Sequence, residues 1–563
     1  MTNEKYIKHL YTEEGSDLPT VPWNVYPRPQ MRREEWTCLN GTWDIETESG
    51  KGKILVPFCP ESLLSGFRGK VRYGEKLKYE RRFAIPADRR GKRTLLHFGA
   101  VSRGCEVFVN DRPAVKNDNA YLPFSADISN EVKDGENVLT VYVENDLSPR
   151  YPYGKQKIDR GGMWYTPQSG IWQTVWLETV PETYVKDIKI SPDMTGADIF
   201  AIGVTDGTLI CDGKEYTLKN GAVRVEPDEP KLWSPEHPHL YEFTLKSGED
   251  EVRSYFALRE LSVKSVNGVR RLCLNGEPYF FNGLLDQGYF SDGGYTPASP
   301  ALYTDDVEKM KELGFNTLRK HIKIEPERFY YDCDRLGMIV FQDMVNNGRY
   351  GFLHDTLLPT LGLKNLSDEK MNGDEKTHAE FISSMEKTVS RLYSHPCICM
   401  WTIFNEGWGQ FCADKAYRRL KEIDKSRFVD ATSGWFSQKE SDVESMHIYF
   451  GKLKLNKTSE RPQLLSEFGG YVYKMPTHSF NAKKTYGYKI FKTREEFVKA
   501  LRQTYLDGVL PLIKDGLCGA IYTQLSDVED ETNGILTYDR KEQKLNPDEI
   551  RDVFELMQME IKK

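Results

Sequence analysis

Residues 397–409 read CICMWTIFNEGWG. The stretch from Cys397 to Phe404 carries no charge and is far shorter than the roughly 20 residues a bilayer helix needs. A short run that is apolar on both faces and breaks into Asn405-Glu406 reads as a strand covered on both sides, with its first polar residues where the sheet ends. In a parallel barrel that edge is where chemistry is placed.

Working outward from this run, apolar strands alternate with helix-period segments over the whole C-terminal half. Strands are predicted at 279–285, 316–321, 338–343, 397–405, 428–433, 443–449, 462–468 and 517–525. Helical patterns lie between them, at 305–314, 325–337, 379–395 and 494–513, whereas 434–442 shows none. Eight strands in about 300 residues is the count and size of a (β/α)8 barrel. Ahead of it, short period-2 segments such as YERRFAI (79–85), CEVFVND (105–111) and NVLTVYVEND (137–146) read as an antiparallel sandwich to about residue 180. A second, smaller all-β unit follows over 181–265, with the Pro-rich turn LWSPEHPH at 232–239.

Composition agrees with several packed cores: 563 residues, 39% hydrophobic and 12% aromatic. The net charge of −7 offers no basic field for a phosphate backbone, so nucleic acid is not an expected partner, and no segment is apolar enough to make a membrane one. The N-terminal MTNEKYIKHLYTEEGSD has no apolar signal region, and the ten cysteines show neither CxxC pairs nor zinc spacing. The expectation is a cytoplasmic protein with structural thiols, no bound metal and no cofactor.

Four barrel strands end on polar residues worth naming. The fourth ends at Asn405 and Glu406, and the seventh, LLSEFGG, at Glu467. Two glutamates on opposite sides of one mouth are the pair that double displacement at an anomeric carbon requires, one as acid/base and one as nucleophile about 5 to 5.5 Å away. The second strand ends RKHIK, gathering Arg319, Lys320, His321 and Lys323 into either a cationic rim for a sugar carboxylate or a solvated basic turn with Arg319 paired inside the barrel. The sixth ends MHIYF, offering His447 and Tyr449; a Tyr449 hydroxyl on Glu467 would keep that carboxylate ionised, and a core tyrosine is the alternative. Asp286, Gln287 and Gln524 are candidate hydroxyl ligands, and Trp408 and Trp435 candidate sugar platforms with packing as the default. The acidic run DVEDET (527–532) reads as a solvated turn in preference to a cation loop, and the long segment 148–168 as either an arm into the site or a flap over the domain junction.

On FNEGWG, SEFGG, SGIWQTVWLE, LWSPEHPHLY and LCLNGEPYFFNG, the chain resembles glycoside hydrolase family 2, the β-galactosidases, β-glucuronidases and β-mannosidases. The resemblance implies a multidomain fold: an N-terminal jelly-roll β-sandwich at 1–180, an immunoglobulin-like β-sandwich at 181–265 and a C-terminal catalytic (β/α)8 TIM barrel at 266–563. It implies Glu406 as general acid/base, Glu467 as nucleophile, Asn405 on the sugar 2-hydroxyl and Tyr449 as the residue orienting the nucleophile. The expected activity is an exo-acting retaining β-glycosidase taking an oligosaccharide or glycoside, foremost a terminal β-galactoside. A β-uronide held by the strand-two cations is the alternative, and a non-catalytic carbohydrate-binding protein a further one; association into a homo-oligomer is left open. Departures bear on the sugar: no lysine follows Asn533 in ETNGILTYDR, and Tyr522 stands where the family usually shows tryptophan on strand eight.

Overall fold

A computed structural model describes residues 6–67, 69, 71–351, 367–369, 371, 372 and 374–563. The first sandwich packs a six-stranded sheet, including Gly41–Thr47, Lys76–Ala84 and Glu136–Glu144, on a four-stranded one that includes Arg93–Phe98 and Val175–Val180. Gly41–Thr47 alternates buried and outward residues, so Trp43 and Ile45 enter a core shared with Tyr79, Phe98, Val107 and Leu139. The second sandwich has three strands against four, the seven of an immunoglobulin-like unit, around Ile190, Ile199, Phe243, Leu245 and Phe256.

The barrel follows. Its strands are β1 Phe281–Asp286, β2 Thr317–Lys320, β3 Ile339–Asp343, β4 Ile398–Asn405, β5 Phe428–Ser433, β6 Glu444–Ile448, β7 Gln463–Phe468 and β8 Leu517–Tyr522. All pairings are parallel, in the order β5-β4-β3-β2-β1-β8-β7-β6. Every residue of β4 is buried, as a strand with barrel interior on one face and helices on the other must be. Between β5 and β6 no backbone ladder forms among the described residues. Side chains bridge that seam: Ser445 donates to Asp430 at 2.8 Å, and the Val429 N–H to Asp442 at 2.9 Å. The helix-free connection over 434–442 falls at this seam.

Three predicted helices occur, as Ala301–Glu312, Glu327–Leu336 and Glu375–Leu392. The segment predicted as one helix at 494–513 is interrupted: Arg494–Gln503 passes through a π turn, Thr504–Val509, into Leu510–Ile513, where Pro511 has no N–H to continue the regular ladder. Ala413–Ile423 and Arg551–Glu560 are helices in addition. No helix among the described residues is long and apolar enough to cross a membrane. All ten cysteines are free thiols.

The sandwiches are tied to each other and to the barrel by buried polar contacts. Arg33 bridges Glu178 of the first sandwich and Asp250 of the second, both at 2.9 Å, with all three side chains nearly solvent-free. The Pro-rich turn docks on the barrel through Trp233, whose indole N–H donates to the Asp334 carbonyl at 2.7 Å. Breaking a buried ion pair from one side strands the other charge, at a cost of about 3–5 kcal/mol. Arg33→Met is therefore expected to lower the thermal unfolding midpoint by several degrees relative to wild type; an unchanged midpoint in a calorimetric scan would contradict the bridging role.

Candidate active site

The mouth is built from the ends of β2, β3, β4, β6 and β7. Arg319, at the end of β2, has a fully buried guanidinium that donates to Asp343 of β3 at 2.9 and 3.1 Å, to Glu467 of β7 at 3.0 Å, to the Asn405 amide oxygen of β4 at 2.8 Å and to the Ser466 carbonyl at 3.0 Å. One planar fork thus fixes polar residues of three other strands.

Glu467 is 4% exposed. Burial opposes its charge, but His447, Arg319 and His321 outweigh that and hold the carboxyl well below the usual carboxylate range. Its other oxygen accepts from the Tyr449 hydroxyl, whose ring stacks on Tyr488 with centroids 3.8 Å apart. Glu406 follows the last residue of β4 at φ 52°, a left-handed conformation uncommon for a residue with a side chain, and Gly407 and Gly409 turn the chain after it. Its side chain is the more open of the two, 23% exposed, and pairs with His447 Nδ1 at 2.7 Å. His447 stands between the glutamates, its Nε2 being 3.7 Å from Glu467 and 3.1 Å from the Ser433 hydroxyl. Carboxylate oxygens of Glu406 and Glu467 and a nitrogen of His447 all lie within 4.8 Å of one another.

Other candidates fall differently. Lys320 is no rim cation: its ammonium is wholly buried against Asp286 at 2.5 Å and Glu325 at 2.8 Å. Both Asp286 oxygens are thereby occupied, the second by the Gly288 N–H at 2.9 Å, so Asp286 is not free for a hydroxyl. Lys323 is likewise enclosed by Glu325 and the carbonyls of Gly288 and Tyr295, and burial pulls its ammonium down to about 8. The cationic rim read at 319–323 is thus an internal, neutralised network, because strand-end lysines here meet carboxylates from β1 and from the turn after β2. His321 pairs through Nδ1 with Asp343 at 2.8 Å while its buried Nε2 has no hydrogen-bond partner. Gln524 is buried, its amide N–H on Asn533 at 2.9 Å and its carbonyl oxygen unpartnered; Gln287 is buried with its amide nitrogen unpartnered. Trp408 is no open platform. Its ring is buried among Tyr153, Trp164 and Tyr350. Trp435 is half-buried, 6.5 Å from the His447 ring. Tyr522 is fully buried: its hydroxyl accepts from the Tyr471 N–H at 3.0 Å and its ring packs on Phe468.

The acidic run 527–532 is buried throughout, against the solvated turn expected of it. Glu529 meets Arg160 at 3.3 Å and the Thr166 N–H at 2.8 Å, and Glu531 accepts from the Tyr165 hydroxyl at 2.5 Å. The segment 148–168 supplies those partners and crosses the mouth. At its other end the Tyr153 N–H donates to the Asn346 carbonyl at 3.0 Å, and its hydroxyl to the Gly348 carbonyl at 2.9 Å. Asp343 was open to the same reading that found Glu406, since it ends the apolar run MIVFQD. Tyr488 lies in a loop after β7 and carries no sequence signal.

Models of known families match three stretches. Residues 266–557 match "Glycosyl hydrolases family 2, TIM barrel domain", residues 65–169 the "Glycosyl hydrolase 2 galactose-binding domain-like" model and residues 200–259 "Glycosyl hydrolases family 2". The chain belongs to glycosyl hydrolase family 2. Among curated relatives of this family-2 chain, a β-galactosidase of Thermoanaerobacter pseudethanolicus is 25% identical over 72% of the chain and 55% of its own length, and a β-glucuronidase of Rattus norvegicus 25% identical over 62% and 55%. The chain spans about half the length of these relatives. Among solved structures, a β-D-glucuronidase of Dictyoglomus thermophilum has a TM-score of 0.73 at 19% identity, covering 94% of this chain and 98% of that one. A GH2 β-galacturonidase of Eisenbergiella tayi bound to galacturonate has 0.68 at 19%, covering 94% and 99%. These likenesses establish that the family-2 fold extends over nearly the whole chain.

Because Glu467 is depressed in the folded state, the stability its ion pairs contribute is complete above the ordinary glutamate value of about 4.3 and is lost as pH falls below it. Carboxyl-carbon NMR of the native protein is expected to show Glu467 titrating below that value, and Arg319→Met to move the midpoint up by at least about one unit. An unmoved midpoint would remove Arg319 as the cause.

Proposed function

We propose that this family-2 chain is an exo-acting retaining β-glycosidase with Glu467 as nucleophile and Glu406 as general acid/base. The observation that carries this is the approach of the two carboxylates to within 4.8 Å across the barrel mouth. That separation suits direct attack by one carboxylate; inverting enzymes need about 6.5–9.5 Å to seat a water between them.

Glu467, held ionised by Arg319 and Tyr449, attacks the anomeric carbon while Glu406 gives its proton to the departing oxygen. The C–O bond to the aglycone breaks as the bond to the Glu467 oxygen forms. Water then enters, Glu406 takes its proton, and the covalent ester is cleaved with net retention. Asn405, oriented by Arg319, offers its amide N–H to the sugar 2-hydroxyl, a contact worth more as oxocarbenium character develops. His447 links the pair, and its bond to Glu406 sets the direction of that carboxyl group.

Relatives bear the names β-galactosidase and β-glucuronidase, which supports a terminal β-galactoside and a β-uronide as the two glycones. Lys320 and Lys323, neutralised inside the protein, do not supply the carboxylate contact that a uronide needs. A metal-dependent hydrolysis would recruit Glu406, His447 and Glu467 as ligands, but Glu467 already accepts from Arg319 and Tyr449, which favours its use as a carboxylate nucleophile.

On aryl β-glycosides, Glu467→Ala is expected to lower kcat by at least about a thousandfold. Glu406→Ala is expected to slow alkyl glycosides far more than nitrophenyl ones, because only poor leaving groups need the proton. Near-wild-type turnover by Glu467→Ala, or full loss of activity on treatment with a chelator, would overturn the assignment.

A further inference from the structure

The segment 148–168 belongs to the first sandwich, yet it spans the barrel mouth from the β3 end to the loop after β8. It is fixed at several points. Tyr165 N–H donates to the Lys155 carbonyl at 3.0 Å, while the Tyr165 hydroxyl is anchored on Glu531. On the other side Gly154 lies so close to β2 that a methyl there would stand 3.2 Å from the Ile322 carbonyl and 2.8 Å from the Tyr121 hydroxyl. Lys155 is therefore held between the residue after His321 and the acidic run, at the edge of the catalytic centre.

Its charge state of pairing sets it apart. Arg319, Lys320 and Lys323 are bound by Asp343, Glu467, Asp286 and Glu325, and Arg160 and Lys544 by Glu529 and Asp527. Lys155 is half-buried with its Nζ 6.0 Å from the Tyr165 ring centroid, and among the described residues no carboxylate is within ion-pairing distance of it. His321, the residue before the Ile322 that Gly154 packs on, has its Nε2 buried and without a hydrogen-bond partner. Burial and the Lys155 charge together lower the His321 pKa, and the same charge helps to depress Glu467. A cation on the segment that crosses the mouth, without a counter-charge among the described residues and one residue from the Gly154–Ile322 contact, is suited to a ligand that brings a carboxylate.

We propose that Lys155 is the specificity residue for an anionic glycone, its ammonium pairing with the C6 carboxylate of a β-linked hexuronide bound at Glu406 and Glu467. The inference rests on the reading of those two glutamates as the cleaving pair and adds the sugar class. Carboxylate recognition passes from the strand-two lysines, which are neutralised, to a loop of the sandwich. Lys155 acts on binding of the sugar in ground and transition state alike, so its loss acts mainly through KM.

The test is kcat/KM on nitrophenyl β-galactoside, β-galacturonide and β-glucuronide for wild type, Lys155→Gln and Lys155→Arg. The wild type is expected to cleave at least one uronide, and which of the two identifies the C4 configuration. In Lys155→Gln the uronide-to-galactoside ratio of kcat/KM should fall by at least about tenfold, the effect of losing one charge-assisted bond, with Lys155→Arg recovering most of it. A ratio unchanged in Lys155→Gln, or a wild type that cleaves the galactoside and neither uronide, overturns the role of Lys155 and leaves the glycosidase reading standing. A wild type inert toward every aryl β-glycoside overturns both.

Discussion

The interaction on which the site depends is the buried Arg319 guanidinium. It touches the ends of β3, β4 and β7 at once and stands opposite two carboxylates, Asp343 and Glu467, buried away from the protein surface. Desolvating such charges is costly, and the cost is met only because every N–H of the fork has an acceptor. The arrangement leaves little freedom. Glu467 cannot turn away without stranding Arg319, and Asn405 cannot shift without losing its place on the same guanidinium. The Glu467 carboxylate, proposed as the nucleophile, is thus held by the same contacts that hold the strand ends together.

Around that centre the polar groups are matched in closed sets. Lys320, Lys323, Asp286 and Glu325 form one beneath the rim, and Asp527 with Lys544 another. The third joins two domains: Glu529 and Glu531 of the barrel are satisfied by Arg160, Thr166 and Tyr165 of the sandwich. A barrel without the sandwich would leave those buried carboxylates unpaired, so the N-terminal domain is part of the site's structure and more than an appendage. Among the described residues, groups near the mouth that stand outside these sets are informative: the exposed face of Glu406, the free nitrogen of His321, the unpartnered amide atoms of Gln287 and Gln524, and the Lys155 ammonium without an ion-pair partner.

The strands of the barrel were legible because each is an apolar run ending in polar residues, and Glu406, Glu467 and Asn405 stand where such runs stop. Tyr449 was legible by the same logic, and the structure places its hydroxyl on Glu467. The charge pattern at 319–323 was misleading for a physical reason: a sequence displays charges without their partners, and Lys320 finds Asp286 from a strand 34 residues away. The acidic run 527–532 misled in the same way, since Tyr165 reaches Glu531 across 366 residues of chain. Net charge read locally overstates what a substrate meets, because burial is affordable only when neighbouring elements neutralise it.

These contacts define a site in which one glutamate is held ionised and inward, and the other stands more open, less than 5 Å away. The central claim is that the sugar passes through a covalent ester on Glu467. Proton NMR of the first product formed from an aryl β-glycoside, recorded before the anomers equilibrate, tests it most directly. The account requires the β-anomer to appear first; initial release of the α-anomer would mean a single displacement by water and would contradict it.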